Sequence, residues 1–163
     1  MNWEFAVSKL ATKLSDLPLR VSGKKLFRIQ VPVKSGRLLD FLAGQKTAVN
    51  KIYFSDRAAD FTIAGVGVAD RVSNDTCKSL PDAFSYIDRM LAGRTDTYYY
   101  GGCAFPGQVV TREWSSFGKF NFILPLLELV STGNATFLAL NIVLSGNRNN
   151  INAITPLLKN LKI

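Results

Sequence analysis

Hydrophobic positions recur with two different periods along this chain. Over residues 2–14, Phe5, Leu10 and Leu14, with Val7 between them, fall at helical spacing, which predicts an amphipathic helix ended by Pro18. The period then shortens to two. In Lys24 to Val33, the side chains of Phe27, Ile29, Val31 and Val33 share one side, as in a half-buried strand, and Pro32 marks an edge or the strand's end. Ser35-Gly36 reads as a turn, and Leu38 to Ala43 as a short helix closed by Gly44. Lys51 to Ser55 and Phe61 to Asp70 read as strands forming a hairpin, with a turn over Asp56 to Asp60. Leu80-Pro81-Asp82 opens a helix running to Leu91, with Phe84, Ile87 and Leu91 on one face and Gly93 as its stop. Thr97 to Phe105 reads as a tyrosine-rich strand, Pro106-Gly107 as a turn and Trp114 to Gly118 as a loop. Phe120 to Asn141 reads as two strands joined by a short turn. Residues 148–161 carry Ile151, Ile154, Leu158 and Leu161 on one face of a last helix.

About six strands in adjacent antiparallel pairs and four helices imply an α+β fold, a twisted antiparallel sheet with helices packed on one face. No repeat, low-complexity tract or linker interrupts the pattern, so residues 1–163 read as a single domain. Apolar residues make up 47% of the chain and include eleven Phe, enough to bury a core and exclude disorder. The longest apolar run, Phe122 to Val130, is broken by Pro125 and Glu128 and is too short to span a bilayer. The amino terminus lacks the pattern of a secretory signal, so a cytoplasmic protein is expected, with Cys77 and Cys103 reduced. In that setting the sequons at Asn74 and Asn134 are chance matches.

The net charge of +8 raises nucleic acid as a partner. The basic residues are scattered, however: Lys24, Lys25, Arg28, Lys46, Lys51, Arg89, Arg94, Lys159 and Lys162 form no run interleaved with aromatics. A solvated basic surface is the expectation, with no nucleic acid and no membrane as partner.

Candidate chemistry is sparse. The chain contains no histidine, which excludes Ser-His-Asp and Cys-His catalysis and histidine-ligated metals. Carboxylates are dispersed, with Glu4, Glu113 and Glu128 the only glutamates and no pair at helical spacing. Gly65 and Gly67 lie in a strand, and Asp70 stands where a dinucleotide fingerprint needs its third glycine, so these glycines are read as points of close approach. Ser22-Gly23-Lys24-Lys25 is a chance SxxK match. Glu128 is either an inward carboxylate serving a site or, as preferred, an outward or ion-paired residue of a half-exposed strand. Trp114 and Tyr98 to Tyr100 could line a pocket, although such aromatics more often fill a core or an interface. Cys103 reads as a small packed hydrophobe.

Four stretches, in order, resemble isochorismate synthases of the chorismate-binding family. Tyr53 and Arg57 precede Ala64-Gly65-Val66-Gly67. Gly101, Gly102, Ala104 and Phe105 resemble a Gly-x-x-Phe strand. Phe122, Leu124, Pro125, Glu128 and Leu129 resemble a Phe-x-Leu-Pro-x-x-Glu-Leu segment, followed by Leu138, Leu140 and Asn141; residues 38–45 also fall in the expected place. The resemblance covers roughly residues 25–145 and is closest to the menaquinone-type enzyme. It implies the amino-terminal half of an α/β sandwich like that of anthranilate synthase component I. It further implies conversion of chorismate to isochorismate with Mg2+, a lysine base activating water, and a glutamic acid assisting loss of the hydroxyl. In the family those residues lie in the carboxy-terminal region, which has no counterpart here, so no catalytic, cofactor-binding or metal residue is assigned to this chain. The abrupt end at Leu161-Lys162-Ile163 fits the same picture. The expectation is an amino-terminal fragment or separately encoded half, inactive alone, whose partner is a carboxy-terminal chorismate-binding half and which meets chorismate and Mg2+ only in the complete enzyme. The alternative is a stand-alone ligand-binding or scaffold domain derived from that family.

Overall fold

A computed structural model describes residues 2–18, 20–34, 36–46, 50–105, 111–133, 135–147 and 158. The chain packs as two compact units, Met1–Gly67 with Pro125–Ile163, and Val68–Leu124. Every strand pairing in both is antiparallel.

The first unit contains helix α1 (Trp3–Ser15), strand β1 (Arg20–Val33), helix α2 (Leu38–Gly44), and strands β2 (Lys51–Ser55) and β3 (Phe61–Val66). After the second unit the chain returns to it, and two further strands complete a five-stranded sheet. With the strands of the second unit numbered β4 to β6, these are β7 (Leu127–Thr132) and β8 (Ala135–Asn147), in the order β1-β8-β7-β3-β2. The β1–β8 ladder runs from Arg20↔Asn147 to Val33↔Thr136, slipping between Val21 and Lys24, where Gly23 takes a left-handed φ of 70°. Helix α1 buries Ala6, Leu10 and Leu14 and α2 buries Phe41, in one core with Ile29, Val31, Leu127, Leu129, Leu138 and Leu140. Burial of this kind is the main force holding α1 to the sheet, because a helix of this length is marginal by itself in water.

The opposite face of the sheet is buried as well. Leu26, Ile63, Val130 and Ala139 alternate with the α1-facing residues and are at most 7% exposed. Burial on both faces explains why β7 and β8 read as nearly continuous apolar runs rather than alternating ones.

The second unit holds β4 (Asp70–Ser73), helix α3 (Leu80–Leu91), β5 (Tyr100–Cys103), a 3-10 turn (Arg112–Trp114) and β6 (Phe120–Leu124), in a three-stranded sheet of order β4-β6-β5. The Ser79 side chain caps α3 by accepting the Asp82 N–H at 3.3 Å, Pro81 occupies its first turn, and Ala92 ends it in a left-handed conformation. Ala83 and Ile87 of α3 pack on Val72 and Phe120. Gly101 lies so close to Asn121 that a Cβ there would overlap the Asn121 carbonyl, which fixes glycine at that position.

The elements differ from the sequence expectation at identifiable points. Among the described residues there are eight strands rather than about six. The expected strand Phe61 to Asp70 is two strands in different sheets, because Gly67 turns the backbone to φ 69° and ends β3. The expected first strand of the Phe120–Asn141 pair is likewise split by Pro125, which has no N–H to donate to a ladder, and β8 continues to Asn147. The tyrosine-rich strand is shorter, Tyr100–Cys103, and β1 is longer than its alternating core. Phe5 is 58% exposed and Phe84 is 48% exposed, so the buried stripes run through Ala6 in α1 and through Ala83, Ile87 and Met90 in α3. Helices α1, α2 and α3 otherwise stand where the apolar spacing puts them. The predicted last helix and the Pro106-Gly107 turn lie outside the described residues, apart from Leu158, which is helical and buried in the α1 core.

Candidate functional site

The most strongly built polar constellation in the first unit joins three strands. Arg28 and Asn141 face each other across β1 and β8, while Glu128 of β7 lies opposite Ala139 on the same face of the sheet. The Arg28 Nη1 donates to Glu128 Oε2 at 2.6 Å and to Asn141 Oδ1 at 2.8 Å. Asn141 in turn donates from Nδ2 to the Pro125 carbonyl at 2.9 Å, and its main-chain N–H bonds the Leu126 carbonyl at 2.8 Å. The Pro125 ring packs on Gly65, where an added Cβ would stand 2.8 Å from Pro125 Cγ. A chain of contacts thus runs from Arg28 through Glu128 and Asn141 to Pro125 and Gly65. The Arg28 and Glu128 side chains are only 3% and 2% exposed, so this ion pair is desolvated and its attraction is little screened. Its carboxylate is committed to the guanidinium, which suits it to holding three strands in register and not to proton transfer.

In the second unit, Asp70 Oδ2 accepts from the Tyr99 hydroxyl at 2.7 Å and from the Tyr86 hydroxyl at 3.0 Å. Burial first, then the hydrogen bond to Asp70 and the nearby negative charge, hold the Tyr99 phenol far above its ordinary titration range. The phenol is therefore a permanent donor at neutral pH. On the same unit, a cleft of about 380 Å³ is lined by Arg71 and Ser73 of β4, Asn121 of β6, and Ser115, Ser116 and Lys119. Its rim is set by Asn74, whose Oδ1 accepts the main-chain N–H groups of Lys119 at 2.7 Å and Phe120 at 3.3 Å.

The residues singled out from the sequence have separate fates. Glu128 is ion-paired as preferred, but its strand is buried on both faces from Leu127 to Val130 rather than half exposed, since β7 lies at the centre of the sheet. Gly65 is a point of close approach, as read. Trp114 is 64% exposed and Tyr98 is 43% exposed, so neither fills a core, whereas Tyr99 is tied to Asp70. Cys103 is exposed rather than packed, because it closes a four-residue strand on the solvent side. Arg28 was missed as a partner of Glu128. The sequence signal was available: Arg28 sits between apolar Phe27 and Ile29 on one edge strand, and a lone acid interrupts the apolar run of another. Among the described residues no three Asp, Glu, Cys or His side chains gather in a way that could hold a metal ion. No helix among the described residues is long and apolar enough to cross a membrane.

The Gly65, Pro125, Glu128 and Asn141 positions of this two-unit α+β chain are brought together in one joint. A sequence model of the family described as "Chorismate binding enzyme" matches residues 12–162, and the chain belongs to that family. Isochorismate synthase 2, chloroplastic, of Arabidopsis thaliana is 29% identical over 167 aligned positions, which take in 82% of this chain and 28% of that protein. MenF, the menaquinone-specific isochorismate synthase of Escherichia coli, shares the fold with a TM-score of 0.73 and 18% identity, over 98% of this chain and 34% of that one. The chain therefore spans about a third of the length of these relatives. The expected α+β fold of the chorismate-binding type is the one observed.

Proposed function

We propose that this chain supplies the amino-terminal sheet region of an isochorismate synthase and does not convert chorismate unaided. One observation carries the reading. Three of the four stretches that resemble the family contribute to one buried joint, Gly65 against Pro125, Pro125 to Asn141, and Asn141 with Glu128 around Arg28. The acid in that joint is consumed by an ion pair, so the matched residues support structure and leave the chemistry to other groups. In this reading the lysine base, the glutamic acid and the Mg2+ ligands belong to a carboxy-terminal chorismate-binding region. That region, carried on the same or a second chain, is the partner this sheet was built to meet. A cytoplasmic role in menaquinone synthesis is the further part of the proposal, prompted by the specificity of the fold relative.

The test is an assay of isochorismate formation from chorismate with Mg2+, by the purified chain alone and after mixing with a carboxy-terminal chorismate-binding region. The expected result is no turnover alone and turnover on mixing. Conversion by the chain alone overturns the proposal, as does an inert mixture in which the two regions nevertheless co-purify.

A further inference from the structure

The two edges of the five-stranded sheet are finished differently. At one edge, β1 carries Arg20, Lys24, Lys25 and Pro32 and slips its register between Val21 and Lys24, devices that discourage a further strand from adding. At the other edge, the five residues of β2 include one such device, Lys51, and its ammonium is turned back onto the Leu42 carbonyl of α2 at 2.7 Å. The backbone groups that β2 turns outward follow from its ladder. The Asn50 carbonyl accepts the Gly67 N–H and the Asp56 N–H donates to the Phe61 carbonyl, both at 3.0 Å. Residues that face β3 alternate with residues that face away. Ile52 and Phe54 therefore bond β3, while Lys51, Tyr53 and Ser55 present their N–H and C=O groups at the outer edge. No strand pairs with that edge among the described residues. Its side chains are apolar on both faces: Tyr53 is 50% exposed, Phe54 is 46% exposed and Ile52 is half-buried. Beside Tyr53, on the α2 side of the sheet, lies a cleft of about 390 Å³ lined by Leu38, Leu39, Thr62 and Ser131.

We propose that β2 pairs antiparallel with β2 of a second copy of this chain, about a two-fold axis through Tyr53, joining two five-stranded sheets into one. The strand is complementary to itself in that register. Tyr53 meets Tyr53 of the second copy, Lys51 stands opposite Ser55, and Asn50 stands opposite Asp56, so no like charges meet. Ile52 stands opposite Phe54, an aliphatic–aromatic pair of the kind that stabilises sheets. A two-fold axis normal to the sheet keeps both copies of α2 on the same side, so each Tyr53 ring reaches toward the other copy's cleft. A five-residue pairing is small beside the roughly 1,200 Å² that a stable interface buries, so the dimer forms only at high concentration. The proposal does not depend on the synthase reading.

Sedimentation velocity of the full chain, from about 1 μM to about 1 mM, should show a reversible monomer–dimer equilibrium. Y53K and Y53E should each weaken dimerisation by about tenfold or more, because like charges then meet at the two-fold axis. An equimolar mixture of the two should recover it as a heterodimer, with Lys opposite Glu. S55K, at an exposed position opposite Lys51, should weaken it as well, so the register is tested even if the Tyr53 variants fold poorly. F5S, at an exposed apolar residue of α1, should leave dimerisation unchanged. A chain that is monomeric throughout the range, whether its edge stays bare or takes a strand of another protein, overturns the proposal. Dimers unaffected by Y53K and S55K, a mixture no tighter than its components, or an equal loss in F5S would overturn it too.

Discussion

Replacing Glu128 by Ala tests the central claim about the first unit. The substitution removes the carboxylate that Arg28 Nη1 meets at 2.6 Å and leaves a guanidinium, on a side chain 3% exposed, with the neutral Asn141 Oδ1 at 2.8 Å in place of a counter-charge. An exposed pair broken in this way would cost about 0–1 kcal/mol. A buried one costs about 3–5 kcal/mol, because the surviving charge stays desolvated. Against the roughly 5–15 kcal/mol that stabilises a typical domain, that is a large fraction. The informative companion is the double variant R28M/E128L, which removes both charges and keeps the volume. It should recover most of the loss, since the desolvation of both ions is relieved together, and fall short of the parent only by the donor that the buried Asn141 Oδ1 loses, about 1–3 kcal/mol. The assay is urea unfolding followed by Trp3 emission in a W114F background. Trp3 sits edge-on to Phe41, with ring centroids 6.0 Å apart, inside the same unit as the pair. A cost below about 1 kcal/mol for E128A, or a double variant whose loss equals the sum of the single losses, would refute the claim that the pair is buried and coupled.

Two further outcomes follow from the geometry. G65A should destabilise the first unit by about 1–3 kcal/mol through overpacking against the rigid Pro125 ring. G36A, at a position with nothing within 4 Å of the new Cβ, should stay nearly neutral in the same urea titration. The raised Tyr99 phenol contributes stability that is complete below the unfolded tyrosine range, near pH 10, and is lost as the pH climbs from there toward the folded value, because only the unfolded chain then sheds the proton. Y99F should therefore flatten the decline in stability above about pH 10 measured by denaturation at successive pH values, and an unchanged slope would count against a phenol held protonated by burial and by Asp70.

The hydrophobic pattern made the helices and the paired strands legible, because α1, α2, α3 and β1 each expose one polar side that the period reveals. It was silent on which sheet a strand joins. Phe61 to Asp70 and Phe120 to Leu129 each read as one strand, yet each passes from one sheet to another, at Gly67 and at Pro125. Only the backbone needs of those two residues mark the transfer. The buried joint was half visible. Glu128 stood out as an acid within an apolar run, but Arg28 was one cation among twenty Lys and Arg, and its partner lies a hundred residues away in sequence. Long-range pairing of this kind is set by strand order, which local periodicity does not encode. The packed reading of Cys103, and the core alternative for Trp114, failed for a related reason. Composition favours burying such side chains, whereas a turn and a four-residue strand offered them no neighbour to cover them.

The place where the chain leaves and re-enters the five-stranded sheet has a topological consequence. Val66, the last residue of β3, pairs with Leu127, the first of β7, and Gly67 abuts the Leu126 side chain. Val68–Leu124 is thus a detour hung from a single hairpin, with its two attachment points side by side. Its length is decoupled from the register of the sheet: the ladder from Phe61↔Thr132 to Val66↔Leu127 is the same whether the excursion is long, short or exchanged for another. Both ends of the Val68–Leu124 excursion are thus fixed by one pair of strands, so the first sheet holds them together through its own ladder.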